Sequence, residues 1–385
     1  MEEKRVTWAE LFFDLVFVFA VTQVSALLHH HHDAAGSGRA LIAFVPVYWC
    51  WVGTTVQADI RDVDNPRDRI GIFAVGLAGL FMALALPAAY GAGGVLFGGA
   101  YWAARLVLIG LLVRSVPRIW RGPYGVAALV SGPLLLVGGL VGSPLREALW
   151  VAAAAVDLAA PLVFRRHLAK VEYHPGHLPE RFGLFLLVAL GESIVGIGAP
   201  LAGGPLHVPQ LASVALAFVI SCALWWQYFG YAADAMRHAM ETTASRRDVM
   251  RRVFSYGHLA LIAGVITVAV GFAETVARPA EALGGGTLGL LYGGSALYLL
   301  TFNYTRRTMF GVLSPTRLAA AALVAGLLAL LLLTPLHRLP ALAVLGLLAA
   351  VLVGLNAWEA LRVRAARRAA AEPVPTAAQG VGATV

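Results

Sequence analysis

Residues 8–28 read WAELFFDLVFVFAVTQVSALL. A helix that crosses a bilayer needs about 20 consecutive, mostly apolar residues. This stretch has that length and admits only two acids, Glu10 and Asp14. It is the first of a series. With its start placed at residue 7, comparable runs follow at 40–60, 69–90, 94–113, 125–142, 145–164, 181–201, 209–231, 253–276, 286–304, 317–336 and 340–361. Asn65-Pro66, Gly122-Pro123, Ser143-Pro144 and Ser314-Pro315 punctuate them as turn signals. Hydrophobic residues make up 59% of the 385 and charged residues only 13%, too few for the surface of a soluble domain of this size. The same apolarity excludes a disordered chain, and the 41 glycines follow no collagen period. The expected fold is all-α: a polytopic transmembrane helical bundle of about 12 spans.

The basic residues set an orientation. With the N-terminus in the cytoplasm and the spans alternating, 24 of the 29 Lys and Arg residues fall on the inner side. Only Arg39, Arg146, Arg278 and Arg338 fall outside, and Arg105 lies within a span. Such a bias predicts that both termini are cytoplasmic and that the chain resides in the cell (cytoplasmic) membrane. The net charge of +8 is then cytoplasmic Arg facing anionic membrane lipid. No soluble basic domain is present, so no nucleic-acid partner is expected.

Twelve spans with a long central connection suggest two halves, 1–165 and 181–368, joined by a cytoplasmic loop at 166–180 and followed by a disordered tail at 369–385. Glu10-Leu11-Phe12 echoes Glu180-Arg181-Phe182, and YWCWVGTTVQAD, ending at Asp59, echoes ALWWQYFGYAAD, ending at Asp234. Six is even, so such a repeat has parallel topology, as in the halves of some transporters.

Ionisable groups in the lipid zone cost about 2.5–3.5 kcal/mol each on insertion scales and normally face the bundle interior. Glu10 and Asp14, four residues apart, share a helix face. Glu192 lies near mid-span in LGESIVGIG, followed by Ser193. The neighbouring Gly191, Gly196 and Gly198 suit close helix approach or local unwinding. Asp157 and Arg105 are also deep, which suggests an intramembrane ion pair. Trp225 and Trp226 form either an aromatic binding wall or an interface belt. Asp59 and Asp234, at span ends, read as solvated carboxylates, and His258 as a satisfied core histidine. His29–His32 with Asp33 read as a flexible external tract. Four adjacent histidines cannot share one tetrahedral geometry, so no metal site is expected. No cofactor is expected either: the only lysines are Lys4 and Lys170, and the chain lacks GxxxxGK[ST], HExxH and GxSxG. Cys50 and Cys222 sit in apolar runs and suggest no disulfide framework.

WAELFFDLVFVFAVTQ at 8–23, HLPERFGLFLLVALGESIV at 177–195 and WWQYF at 225–229 resemble the bacterial low-temperature-requirement A (LtrA) family, over most of the first ten spans. DIRDVDNPRDR at 59–69 resembles the family's acidic stretch less cleanly. On that resemblance Glu10, Phe13, Asp14, His177, Glu180, Arg181, Gly191, Glu192 and Ser193 stand at motif positions. The resemblance implies no settled reaction. The candidate substrate- or proton-binding set is therefore Glu10, Asp14, His177, Glu180, Arg181, Glu192, Ser193, Trp225 and Trp226. The leading expectation is a secondary transporter for a small molecule or ion, in which Asp14 and Glu192 share one hydrated, cytoplasm-facing cavity. An intramembrane enzyme acting on a lipid or hydrophobic metabolite, and a non-catalytic membrane factor for growth in the cold, are the alternatives.

Overall fold

The computed structural model describes residues 4–30, 32–61, 63–113, 119–166, 171–243 and 245–371. Its rods lie close to the expected runs: α1 Trp8–His30, α2 Ala34–Ile60, α3 Pro66–Ala85 and α4 Gly94–Leu112. Next come α5 Pro123–Leu140, α6 Leu145–Val163 and α7 His177–Gly198. α8 is Val208–Thr242 and α9 Arg246–Ala277. α10 covers 285–310, α11 is Pro315–Leu333 and α12 is Ala341–Ala371. Ten of these are long and apolar enough to cross a membrane. The two outside that set are α6, which carries Arg146, Glu147 and Asp157, and α10, whose hydrogen bonding shifts to a π pattern at Gly289–Gly293.

Side-chain caps set several starts. Asn65 accepts from the Asp68 amide at 3.0 Å ahead of Pro66, whose missing N–H costs nothing at the first helical position. Ser314 caps α11 in the same way, ahead of Pro315. Asp33 accepts from the Gly36 amide at 2.8 Å and starts α2. The flexible tract expected at His29–His32 with Asp33 is thereby corrected: His29 and His30 complete α1, and Asp33 is the cap of α2. His31 lies outside the described residues. The central loop is also shorter than expected, because α7 begins at His177. Similarly, α12 continues to Ala371, so the expected tail starts inside a helix, and residues 372–385 lie outside the described ones.

The packing order is the same in the two parts of the chain. α1 touches α2 and α3, after which α3, α4, α5 and α6 pack in succession, with α2 lying on both α4 and α6. α7 touches α8 and α9, after which α9, α10, α11 and α12 pack in succession, with α8 lying on α12. The two groups meet where α1 and α2 face α7 and α9. Small residues allow the closest approaches. A Cβ on Gly98 of α4 would stand 2.4 Å from the carbonyl of Leu135 on α5, and one on Gly264 of α9 would stand 2.9 Å from the Gly294 carbonyl of α10.

At the seam an aromatic core joins the groups. Trp51 of α2 stacks on Phe185 of α7, with ring centroids 4.2 Å apart, and Phe182 of α7 meets Phe254 of α9 at 5.2 Å. The Tyr48 hydroxyl donates to the Ser255 carbonyl at 2.9 Å, using an acceptor that the π segment Met250–Gly257 of α9 presents. Outward faces carry exposed Phe12, Leu15, Leu187 and Ile194, as lipid-facing surfaces do.

Candidate functional site

Two helical i, i+4 pairs face each other across the seam. Glu10 and Asp14 lie on one face of α1; His177 and Arg181 lie on one face of the first turns of α7. They mate in order. His177 Nε2 is 2.9 Å from Glu10 Oε2. Arg181 Nη1 and Nη2 reach Asp14 Oδ2 and Oδ1 at 2.5 and 2.9 Å, a two-toothed fork. Arg181 Nη1 also donates to the Glu10 carbonyl at 3.2 Å, and Arg181 Nε stands 3.3 Å from Glu10 Oε2.

α2 supplies the third side. Trp51 Nε1 donates to Asp14 Oδ1 at 2.8 Å, and its ring lies 5.5 Å from the Arg181 guanidinium carbon. Two helical turns later Asp59 accepts from the His174 amide at 3.1 Å and stands 2.9 Å from His177 Nδ1. Lys4 Nζ donates to the carbonyls of Ala58, Asp59 and Arg61, covering the otherwise open C-terminus of α2. Glu10 Oε1 turns back to accept from the Thr7 amide and hydroxyl, at 3.1 and 3.0 Å, which closes the first turn of α1.

This network is buried. Asp59, His177 and Arg181 are 0% exposed, Glu10 is 1% and Asp14 is 5%. Three carboxylates therefore share one fixed cation, Arg181, and the His177 imidazole, with the His174 ring 3.7 Å from Asp59 Oδ1. His177 sits between two carboxylate oxygens, so both contacts are hydrogen bonds only when both ring nitrogens carry protons, or when Glu10 or Asp59 carries one. Proton transfer within this set changes which contacts persist.

The structure brings together Glu10, Asp14, His177 and Arg181 of the expected set, and separates the rest. Glu180 is exposed, because it lies on the opposite face of α7 from Arg181's contacts. Glu192 lies eleven residues beyond Arg181, about 16 Å along the helix axis. There its Oε2 accepts from Thr22 of α1 at 2.7 Å, a second and separate polar tie in the α1–α7 seam. Ser193 is buried, and its hydroxyl has no hydrogen-bond partner. Trp225 and Trp226 are 41% and 49% exposed on the outside of α8, so they form no binding wall with the network. Of the three glycines near Glu192, only Gly196 is a close-approach position, since a Cβ there would stand 2.5 Å from the Ala269 carbonyl; the helix is not unwound.

Of the two cavities seen among the described residues, neither has Asp14 or Glu192 of the expected hydrated site in its lining. Asp14 is closed off by Arg181 and Trp51. A cavity of about 400 Å³ lies beside the network, at the same end of the bundle, and its lining includes neither Asp14 nor Glu192. Asp59 is also corrected: it is the buried partner of His177, not a solvated span end, whereas Asp234 is exposed as expected. Sequence reasoning missed Asp59 because the neighbouring acids and Arg61 suggest a wet loop. The signal was its place at the end of the α2 echo motif. Asp157 meets Arg105 only indirectly: Tyr101 donates its hydroxyl to Asp157, while the Arg105 guanidinium carbon lies 4.7 Å from the Tyr101 ring. His258 is a satisfied core histidine, held by the Tyr228 hydroxyl at 2.8 Å and the Val253 carbonyl at 3.1 Å.

The family model described as Bacterial low temperature requirement A protein (LtrA) matches residues 5–357. An uncharacterized protein of Rhizobium meliloti (strain 1021) is 28% identical over 384 residues, which cover 96% of this chain and 92% of that protein. No solved structure matches.

Proposed function

This chain belongs to the bacterial low temperature requirement A family, and on that premise we propose that it is a cytoplasmic-membrane permease: a secondary transporter of twelve spans in which the α1–α7 polar ladder locks two six-helix halves together. The observation that carries this reading is the place of the ladder. Glu10–His177 and Asp14–Arg181 span the boundary between two groups of helices with matching packing order. That matching order supports the six-plus-six parallel repeat, and the Arg-rich inner loops support cytoplasmic termini.

In alternating access the halves rock about a central site, and buried ion pairs between them hold one state closed. A buried, bidentate Arg181–Asp14 pair suits a lock rather than a cargo site. His177 gives the lock a proton input, since its two carboxylate contacts depend on how many protons the set holds. The cavity beside the ladder is lined by neither His177 nor Arg181, which weighs against an intramembrane enzyme built on these residues. The test is flux. Purified protein in proteoliposomes loaded with a pH-reporting dye should move protons together with a co-solute, and Asp14→Asn should remove that movement while the protein still inserts. A leak equal to that of empty liposomes under every applied gradient would leave only a non-catalytic membrane factor.

A further inference from the structure

The cavity beside the ladder is strongly basic. Arg105, Arg165, Arg166, Arg247, Arg251 and Arg252 all line it, and among the described residues Asp248 is the only carboxylate in its wall. Asp248 is already engaged by Arg251 at 2.5 Å and by the Ser245 hydroxyl at 2.9 Å. Arg247 spends its Nε–H on the Val171 carbonyl at 3.2 Å. Among the described residues Arg165, Arg166 and Arg252 have no side-chain hydrogen bond or ion pair. A general preference for Arg on the inner side of a membrane accounts for the four or five at the mouth. It does not account for Arg105.

Arg105 lies inside α4 and is 2% exposed. Among the described residues its Nε and Nη2 have no hydrogen-bond partner, while Asp157, which accepts from Tyr101, attracts the guanidinium electrostatically. Tyr101 and Asp157 beside it answer only part of what a guanidinium's five N–H donors can use, and the same side chain stands in the cavity wall. α2 makes room for it: a Cβ at Gly53 would stand 2.6 Å from Arg105 Nη1. Around this floor the walls are apolar and aromatic, from Trp49, Val52, Tyr124, Ala127 and Tyr173. Tyr124 is fixed by donating to the Gly53 carbonyl at 2.7 Å. Burial, with Asp59 nearby, pushes the Tyr173 phenol upward, so it stays a neutral donor.

We propose that this cavity binds an organic phosphate, with its phosphoryl group on Arg105 and its apolar or aromatic body against Trp49 and Tyr124. The planar fork of Arg matches phosphate oxygens two at a time, and a volume of about 400 Å³ suits a small ligand rather than a whole lipid. The mouth arginines draw the anion in from solution. The inference deepens the transport reading by naming a cargo class, but its test reads binding alone.

Full-length protein in detergent is titrated with phenyl phosphate and with inorganic phosphate, following the melting temperature and tryptophan fluorescence. It is also placed in nanodiscs of phosphatidylcholine with or without phosphatidylglycerol. Phenyl phosphate should stabilise the protein saturably, and Arg105→Gln should weaken binding by about tenfold or more. Arg165→Gln with Arg166→Gln, at the exposed mouth, should weaken it several-fold and reduce its salt dependence. Arg306→Gln, exposed and away from the cavity, should change nothing. If only phosphatidylglycerol stabilises the protein and Arg105→Gln removes that effect, the phosphate comes from a lipid headgroup and the site stands. If no probe binds, or if binding survives both Arg105→Gln and the double mouth variant, the proposal is overturned. Should Arg105→Gln fail to fold, the mouth variant and quenching of Trp49 by ligand decide. Binding without flux would sink the transport reading alone; flux without binding would sink this one alone.

Discussion

Arg181 on α7 grips Asp14 on α1 through both of its terminal nitrogens, at 2.5 and 2.9 Å, and the pair is closed from solvent by Trp51. Both charges are out of water, so their attraction offsets a large desolvation cost only while both are present. Removing one partner leaves the other buried and unpaired. Asp14→Asn or Arg181→Gln should therefore destabilise the protein by about 3–5 kcal/mol, whereas an apolar pair at both positions should recover much of the loss. Thermal melts of the three variants in detergent check this; additive losses in the double variant would contradict the pairing.

His177 has a different exposure to substitution, because it joins two carboxylates rather than one. Replacing it with Gln preserves a donor to Glu10 or Asp59 but removes the protonatable bridge. Flux in His177→Gln should lose the pH dependence that the parent protein shows. A pH profile that matches the parent protein would place the proton input elsewhere.

Glu192, the deepest acid of the motif, is tied only to Thr22. Glu192→Gln keeps an oxygen to accept that hydrogen bond, so its stability should stay within about 1 kcal/mol of the parent. A collapse comparable to that of Asp14→Asn, read in the same melts, would mean that the Thr22 contact understates its role.

Two glycines separate packing from permissiveness. Gly98→Ala would drive a methyl group into the Leu135 backbone of α5, which cannot swing away as a side chain can, and should cost about 1–3 kcal/mol. Gly191→Ala meets nothing within 4 Å and should be neutral or mildly stabilising. Equal melting temperatures for the two would contradict the close α4–α5 contact.

The bundle was legible in the sequence because hydropathy and turn signals act locally, residue by residue. Glu10 and Asp14 were legible as an i, i+4 pair on an apolar helix, whereas His177 stood among the candidates through the family resemblance. Their mating order was not legible, because it depends on the rotation of α7 against α1. Asp59 was read as solvated because its sequence neighbours Arg61 and Asp62 are polar, while the chain that buries it, His174 and His177, lies over a hundred residues away. Glu180 and Trp225 failed in the opposite direction: they stand beside motif residues in sequence, and the helical turn points them outward. Arg105 was noticed as a deep cation, but the cavity that explains it is assembled from α2, α4, α5, α6 and α9 and leaves no local trace.

The most direct test of the account is to clamp the seam and ask whether transport stops. Cysteines at Thr22 and Glu192, in a Cys222→Ser background, are bridged with a short, reducible thiol cross-linker in reconstituted protein. The account predicts that proton-coupled flux falls to the empty-liposome level when α1 and α7 are joined and returns when the bridge is reduced. Undiminished flux across a fully bridged seam, or no flux from the unbridged protein, would contradict it.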